Sequence, residues 1–123
     1  MIYIDGDALK TLRPNEQFVW IGSGYSGLTW LESTTPPTES EINAELTRLN
    51  NAEPMRLLRV ERDKRLAACD WVCAKATDTG VAVSDAWKTY RQALRDLPAS
   101  SSPSLDEFYD LNFSSVTWPT EPS

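Results

Sequence analysis

Histidine is absent from the 123 residues. That removes the side chain most used for proton transfer near neutral pH and the usual activator of a cysteine or serine nucleophile. Cysteine is scarce: Cys69 and Cys73 are the only two. Two thiols and no imidazole do not make a four-ligand zinc site, so neither a metal nor any cofactor is expected. Their i, i+4 spacing sets both on one side of a helix, where a bridge between them would distort the backbone. Buried apolar thiols are the expected state, with a disulfide to another chain as the alternative. No run approaches the ~18 apolar residues of a membrane span, and Phe18-Val19-Trp20-Ile21 is strand-sized. The first residues lack the basic and apolar regions of a secretion signal, so the expected location is the cytoplasm of the cell that makes the chain. Glycines are few, and Gly22-Ser23-Gly24-Tyr25-Ser26-Gly27 has neither the Lys-Ser/Thr pair of a P-loop nor the glycine spacing of a dinucleotide site. Asp106-Glu107, and Glu39 with Glu41, sit at solvated or capping positions. No catalytic constellation emerges, so the chain is read as no enzyme and as taking no small-molecule substrate.

What is present is strongly patterned by charge. Residues 1–47 hold seven acids and two bases (−5), residues 48–95 ten bases and six acids (+4), and residues 96–123 five acids and no base (−5). A basic middle between acidic arms implies charge pairing within the fold or with a partner. The plainest account is a solvated helix face laced with local pairs. The acidic arms disfavour nucleic acid, because they would repel phosphate.

Along the chain, three segments are expected: a β segment over residues 1–33, a helical core over 34–98, and an extended arm over 99–123. Ile2-Tyr3-Ile4 alternates into the turn signal Asp5-Gly6-Asp7. Phe18-Val19-Trp20-Ile21 and Leu28-Thr29-Trp30-Leu31 flank the glycine-rich loop and predict a hairpin with Trp20 near Trp30. A two-stranded ribbon is marginal alone and needs a cover. Thr38-Glu39-Ser40-Glu41 matches a capping box opening a helix with Ile42, Leu46 and Leu49 on one stripe, ending at Asn50-Asn51. Pro54 then either starts a fresh helix or kinks a continuous one.

The densest stretch runs over residues 59–98. Residues 55–73 read as one helix with two apolar sides: Met55, Leu58, Leu66, Cys69 and Cys73 on one, Leu57, Val60, Ala67 and Trp71 on the other. Such a helix is sandwiched between neighbours and would be the central one. Arg62 falls in the middle of the first side, would be partly buried and needs a carboxylate or carbonyls, with Asp70 and Asp96 the natural candidates. Thr77-Asp78-Thr79-Gly80 breaks the helix, Ser84 or Asp85 caps the next, and Leu97-Pro98 ends it. On that last helix Trp87, Tyr90, Leu94 and Leu97 form a stripe, with Arg91 and Arg95 to one side. After the linker at 99–104, Val116-Thr117-Trp118-Pro119 reads as extended chain that docks. The expected fold is therefore α+β: a short N-terminal β-ribbon, two to three helices around a central amphipathic helix, and an extended C-terminal arm. Trp, Tyr and Arg are the types enriched where proteins grip one another. That makes Arg62, Trp71, Trp87, Tyr90, Arg91, Arg95 and Trp118 the candidate partner-binding residues, with Arg91 and Arg95 expected to act on a partner more than on the fold.

Three stretches together resemble the phage tail assembly chaperone family. They are Leu58-Arg59-Val60-Glu61-Arg62-Asp63 leading to Asp70-Trp71, then Trp87-Lys88-Thr89-Tyr90-Arg91-Gln92-Ala93-Leu94-Arg95-Asp96-Leu97-Pro98, then Trp118-Pro119-Thr120-Glu121-Pro122. The upstream Trp30 and the Pro-Pro-Thr-Glu opening are similar to phage tail-fibre accessory proteins. The resemblance spans about residues 56–122. It implies a non-enzymatic helper of tail or tail-fibre assembly, made in the cytoplasm of the infected bacterium, whose partner is a tail or tail-fibre subunit and which could self-associate as a homo-oligomer. Two other readings stay open: a permanent component of the tail, fibre or baseplate, retained in the virion, and a small nucleic-acid-binding regulator using the basic middle.

Overall fold

The computed structural model describes residues 3–22 and 24–123 and has an α+β fold. Its elements are α1 (Asp5–Leu12), β1 (Phe18–Trp20), β2 (Leu28–Trp30), α2 (Glu39–Ala68), α3 (Trp71–Thr79) and α4 (Asp85–Ser100). The chain forms two compact units, Met1–Glu53 and Pro54–Ser123. Pro54 lies inside α2, so the helix neither ends at Asn50-Asn51 nor restarts at the proline.

In the first unit, Ala8, Leu9 and Ile42 are fully buried, and Phe18, Trp20, Tyr25, Leu28 and Trp30 pack around them. The expected Asp5-Gly6-Asp7 turn is instead the first turn of α1. The Asp7 carboxylate accepts the Ile4 N–H at 2.9 Å, and Asp5 and Asp7 lie at the positive end of the helix dipole. Tyr3 and Ile4 are not in a strand. Ile2, the start of the expected strand, lies outside the described residues. The hairpin forms, but its register pairs Phe18 with Trp30 and Trp20 with Leu28, so the expected Trp20–Trp30 pair does not occur. Phe18 stacks on Trp30 instead, with centroids 6.4 Å apart, and Trp20 meets Tyr25 edge-on. The cause is the loop. Ile21 N–H donates to the Gly27 carbonyl at 3.0 Å, and the 3₁₀ turn Tyr25–Gly27 tightens the return. A Cβ on Gly27 would stand 1.8 Å from the Ile21 oxygen, so only glycine fits there. Tyr25 then donates its hydroxyl to the carbonyl of buried Pro37 at 2.7 Å. Thr38 caps α2 as expected, its hydroxyl accepting the Glu41 N–H at 3.2 Å.

In the second unit, the residues expected as a single helix over 55–73 are broken at Cys69 and Asp70. There the N–H groups of Cys69 and Asp70 reach back only three residues, to Leu66 and Ala67. The phase of the chain therefore changes, and the two cysteines diverge: Cys69 is buried, Cys73 exposed. The second apolar side is not covered either, since Val60 is 54% and Trp71 53% exposed. Gly80, at φ +73°, ends α3, and its N–H donates to the Ala76 carbonyl. Ser84 caps α4 by accepting the Trp87 N–H. That helix runs past Leu97 to Ser100, with Pro98 inside it, and the Ser101 hydroxyl donates to the Leu97 carbonyl at 2.7 Å. Two buried clusters result. One joins Cys69, Val72, Tyr90 and Leu94; the other joins Leu58 and Leu97 to Leu111 and Val116 of the arm. The arm thus docks within its own unit. A Leu105–Leu111 bridge pins a loop there, and the 3₁₀ turn Phe113–Ser115 follows.

Candidate partner-binding surface

The α2–α3 break is held by α4. Arg91, on the inner edge of α4, donates from one guanidinium nitrogen to the Leu66 carbonyl (3.1 Å) and to Cys69 Sγ (3.0 Å). Its other nitrogen donates to Asp70 Oδ1 at 3.0 Å. In an unbroken helix the Asp70 N–H would take the Leu66 oxygen; here Cys69 N–H and Arg91 share it. Burial opposes the charge on Arg91, but the hydrogen bonds to Cys69 and Asp70 outweigh it and hold the pKa above the ordinary arginine value.

The break places Trp71 at the first position of α3, half out of the protein. Its ring meets Trp87 edge-on, with centroids 5.5 Å apart and planes at 76°. Trp87 in turn meets buried Tyr90 edge-on at 5.9 Å. Such contacts fix ring orientation and add about 0.5–1.5 kcal/mol each beyond area burial. Trp71 is therefore an oriented aromatic with a free face. Beside it lies a cleft of about 190 Å³ lined by Trp71, Val72, Lys75, Val81, Val83 and Trp87. Val81, at its mouth, is 69% exposed. The Tyr90 phenol sits on the inner side of this row. Burial, with the carboxylate of Glu121, pushes its pKa up.

The other candidates are placed differently. Arg62 is largely buried, but neither Asp70 nor Asp96 pairs with it. Its Nε bonds Asp63 Oδ1 at 2.7 Å, and Nη1 donates to the Arg95 carbonyl at 3.4 Å. Asp70 is taken by Arg91, and Asp96 accepts from Gln92. Arg95 is exposed, and its guanidinium has no hydrogen-bond or ion-pair partner among the described residues. Trp118 lies on the docked arm with the Arg65 guanidinium 4.1 Å over its ring and Phe113 at 5.5 Å. Its buried Nε1 has no hydrogen-bond partner among the described residues.

The structure thus brings Trp71, Trp87, Tyr90 and Arg91 together at the α2–α3–α4 junction, and leaves Arg62 with Arg95, and Trp118, as separate features. Sequence reasoning missed Arg65 and Phe113, whose roles depend on where the arm lands. It also missed Val81, although Val81-Ala82-Val83 in a connecting loop is an apolar signal in an exposed place. Among the described residues no three metal-ligating side chains converge, and no helix is long and apolar enough to cross a membrane. What the surface offers chemically is apolar and aromatic contact with one cation, Lys75, at the cleft.

Comparison with known proteins adds one match. The family model for phage tail assembly chaperone protein aligns with residues 55–123, the whole junction and the arm included. Neither the curated proteins nor the solved structures yield a match. The aligned region is more than half of the chain and begins one residue after the start of the second compact unit. The chain belongs to the phage tail assembly chaperone protein family.

Proposed function

We propose that the chain binds a tail or tail-fibre subunit of the phage through the Trp71 surface and keeps that subunit competent for assembly. The reading goes beyond the general role in tail assembly that the family carries. One observation supports it most: inside the family-matched region a tryptophan is locked edge-on against Trp87 yet 53% exposed. Leaving such a ring in water forfeits burial that a partner would restore, and tryptophan is the side chain most enriched at interface hot spots. Trp71 and the Val81 cleft make the contact, while Trp87, Tyr90 and Arg91 hold Trp71 in place. Arg95, apart from that junction on α4, offers a second contact as a free cation. A subunit whose apolar surface or strand edges close only on oligomerisation is the kind of client such a surface would shield. The work is done in the infected cell, before the particle is complete, and transforms no molecule.

Co-expression with each tail and tail-fibre subunit of the same phage tests this. The expected result is a soluble, assembled subunit whose yield falls several-fold without the chain or with Trp71→Ala. Equal yields in all three cases overturn the reading. Mass spectrometry of purified particles should find the chain absent; a fixed stoichiometry there would make it a structural component instead.

A further inference from the structure

The uncovered side of α2 is both basic and apolar. Arg59, Val60, Lys64 and Ala67 are all exposed, and the helical period puts Val60, Lys64 and Ala67 on one face. The acids interspersed among them are already engaged: Glu61 pairs with Arg65, and Asp63 with Arg62. Arg59 and Lys64 have no such partner among the described residues. The arm carries the opposite pattern. Between Leu105 and Leu111, which bridge, the loop presents Asp106, Glu107, Phe108 and Asp110, and no base occurs anywhere in residues 96–123. One Asp106 carboxylate oxygen accepts the N–H groups of Phe108 (2.8 Å) and Asp110 (3.0 Å), which fixes the tip. Phe108 is 74% exposed on it, the least covered aromatic ring of the described residues named above. Leu111 anchors the loop in the cluster with Leu58 and Leu97, so Phe108 is held outside its own core.

We infer that two copies of this chain associate reciprocally, the acidic–aromatic loop 105–111 of one lying on the basic–apolar α2 face of the other. Charge complementarity selects the second copy: Lys64, with Arg59 on the flank of that face, meets Glu107 and Asp110, and Phe108 lies on the apolar ground at Val60. Each copy carries one loop and one face, so a two-fold arrangement satisfies both and closes at the dimer. The contact is salt-sensitive, because its charges are exposed in the free chain. The inference does not rest on the client reading, and its test contains no tail protein.

Sedimentation velocity on the purified full chain reads it out. The expected mass rises with concentration from 13.8 kDa towards twice that value. The dimer weakens by about tenfold or more between about 0.05 M and 0.5 M salt, as screening shortens. Arg59→Glu with Lys64→Glu, and separately Glu107→Lys with Asp110→Lys, each give a monomer with unchanged far-UV circular dichroism. Mixing the two charge-reversed proteins restores the dimer. A wild-type chain that stays monomeric, a dimer indifferent to either pair of reversals, or a mixture that fails to associate overturns the inference.

Discussion

Replacing Arg91 by methionine is the most informative single perturbation of the helical unit. Methionine keeps most of the aliphatic stem and removes only the guanidinium. Three contacts then disappear, of which the one to Cys69 Sγ, a weak acceptor, contributes least. The bond to the Leu66 carbonyl is a charged hydrogen bond with a partly buried acceptor at 3.1 Å, worth about 1.5–3 kcal/mol. The pair with Asp70 is different, since the Asp70 side chain is 67% exposed and such pairs contribute about 0–1 kcal/mol. Arg91→Met should therefore destabilise by about 2 kcal/mol, a roughly thirtyfold change in the unfolding equilibrium. Asp70→Asn should cost less than about 1 kcal/mol, even at the N-terminus of α3. Urea denaturation followed by tryptophan emission measures both. A background of Trp20→Phe and Trp30→Phe confines the signal to the unit that holds Trp71, Trp87 and Trp118. Equal losses for the two variants, or a loss below about 0.5 kcal/mol for Arg91→Met, would refute the claim that the guanidinium closes the helix break.

Gly27→Ala should disrupt the hairpin, because its methyl group would stand 1.8 Å from the Ile21 carbonyl oxygen; a loss of at least about 2 kcal/mol is expected, read as faster proteolysis between β1 and β2 and a weaker near-ultraviolet signal. Tyr90 predicts a pH dependence. Its folded-state pKa is raised above 10.0 by burial, so its contribution is complete below about pH 10 and is lost as pH rises from there through the folded value; Tyr90→Phe should remove that slope in alkaline unfolding curves. Trp71→Ala should cost little stability for so large a truncation, about 1 kcal/mol, because half of the ring is already in water, whereas Trp87→Ala should cost more; thermal melts rank the two.

The sequence made most of the helical unit legible, and the reasons differ by element. The α4 stripe of Tyr90, Leu94 and Leu97 and the Ser84 cap follow from period and side-chain chemistry, which are local. Pro98 misled because, two residues from the helix end, it costs only the N–H that the Leu94 carbonyl would take; the helix runs on to Ser100, where the Ser101 hydroxyl serves the terminal Leu97 carbonyl. The break at Cys69 and Asp70 was not legible, since what makes it is a guanidinium arriving from more than twenty residues away. From that single miss follow the exposed Trp71, the divergence of the cysteines and the inward role of Arg91; Val60 lies before the break, and its exposure is a separate departure. In the hairpin, composition announced two strands but not their register, which depends on one backbone bond across the glycine loop. Asp5-Gly6-Asp7 reads equally as a turn or as the acidic first turn of a helix, and only Ala8 and Leu9 packing on Ile42 decides it. The candidate surface was legible as a list of Trp, Tyr and Arg, though not as a division between the ring that faces outward and those that brace it.

Cys69 is enclosed beneath Arg91 while Cys73, one turn further on, faces solvent on the same short helix as Trp71. A maleimide dye would accordingly modify a single position of the unaltered chain, two residues along α3 from Trp71. The wild-type protein thus carries a ready-made optical handle on the helix that bears Trp71.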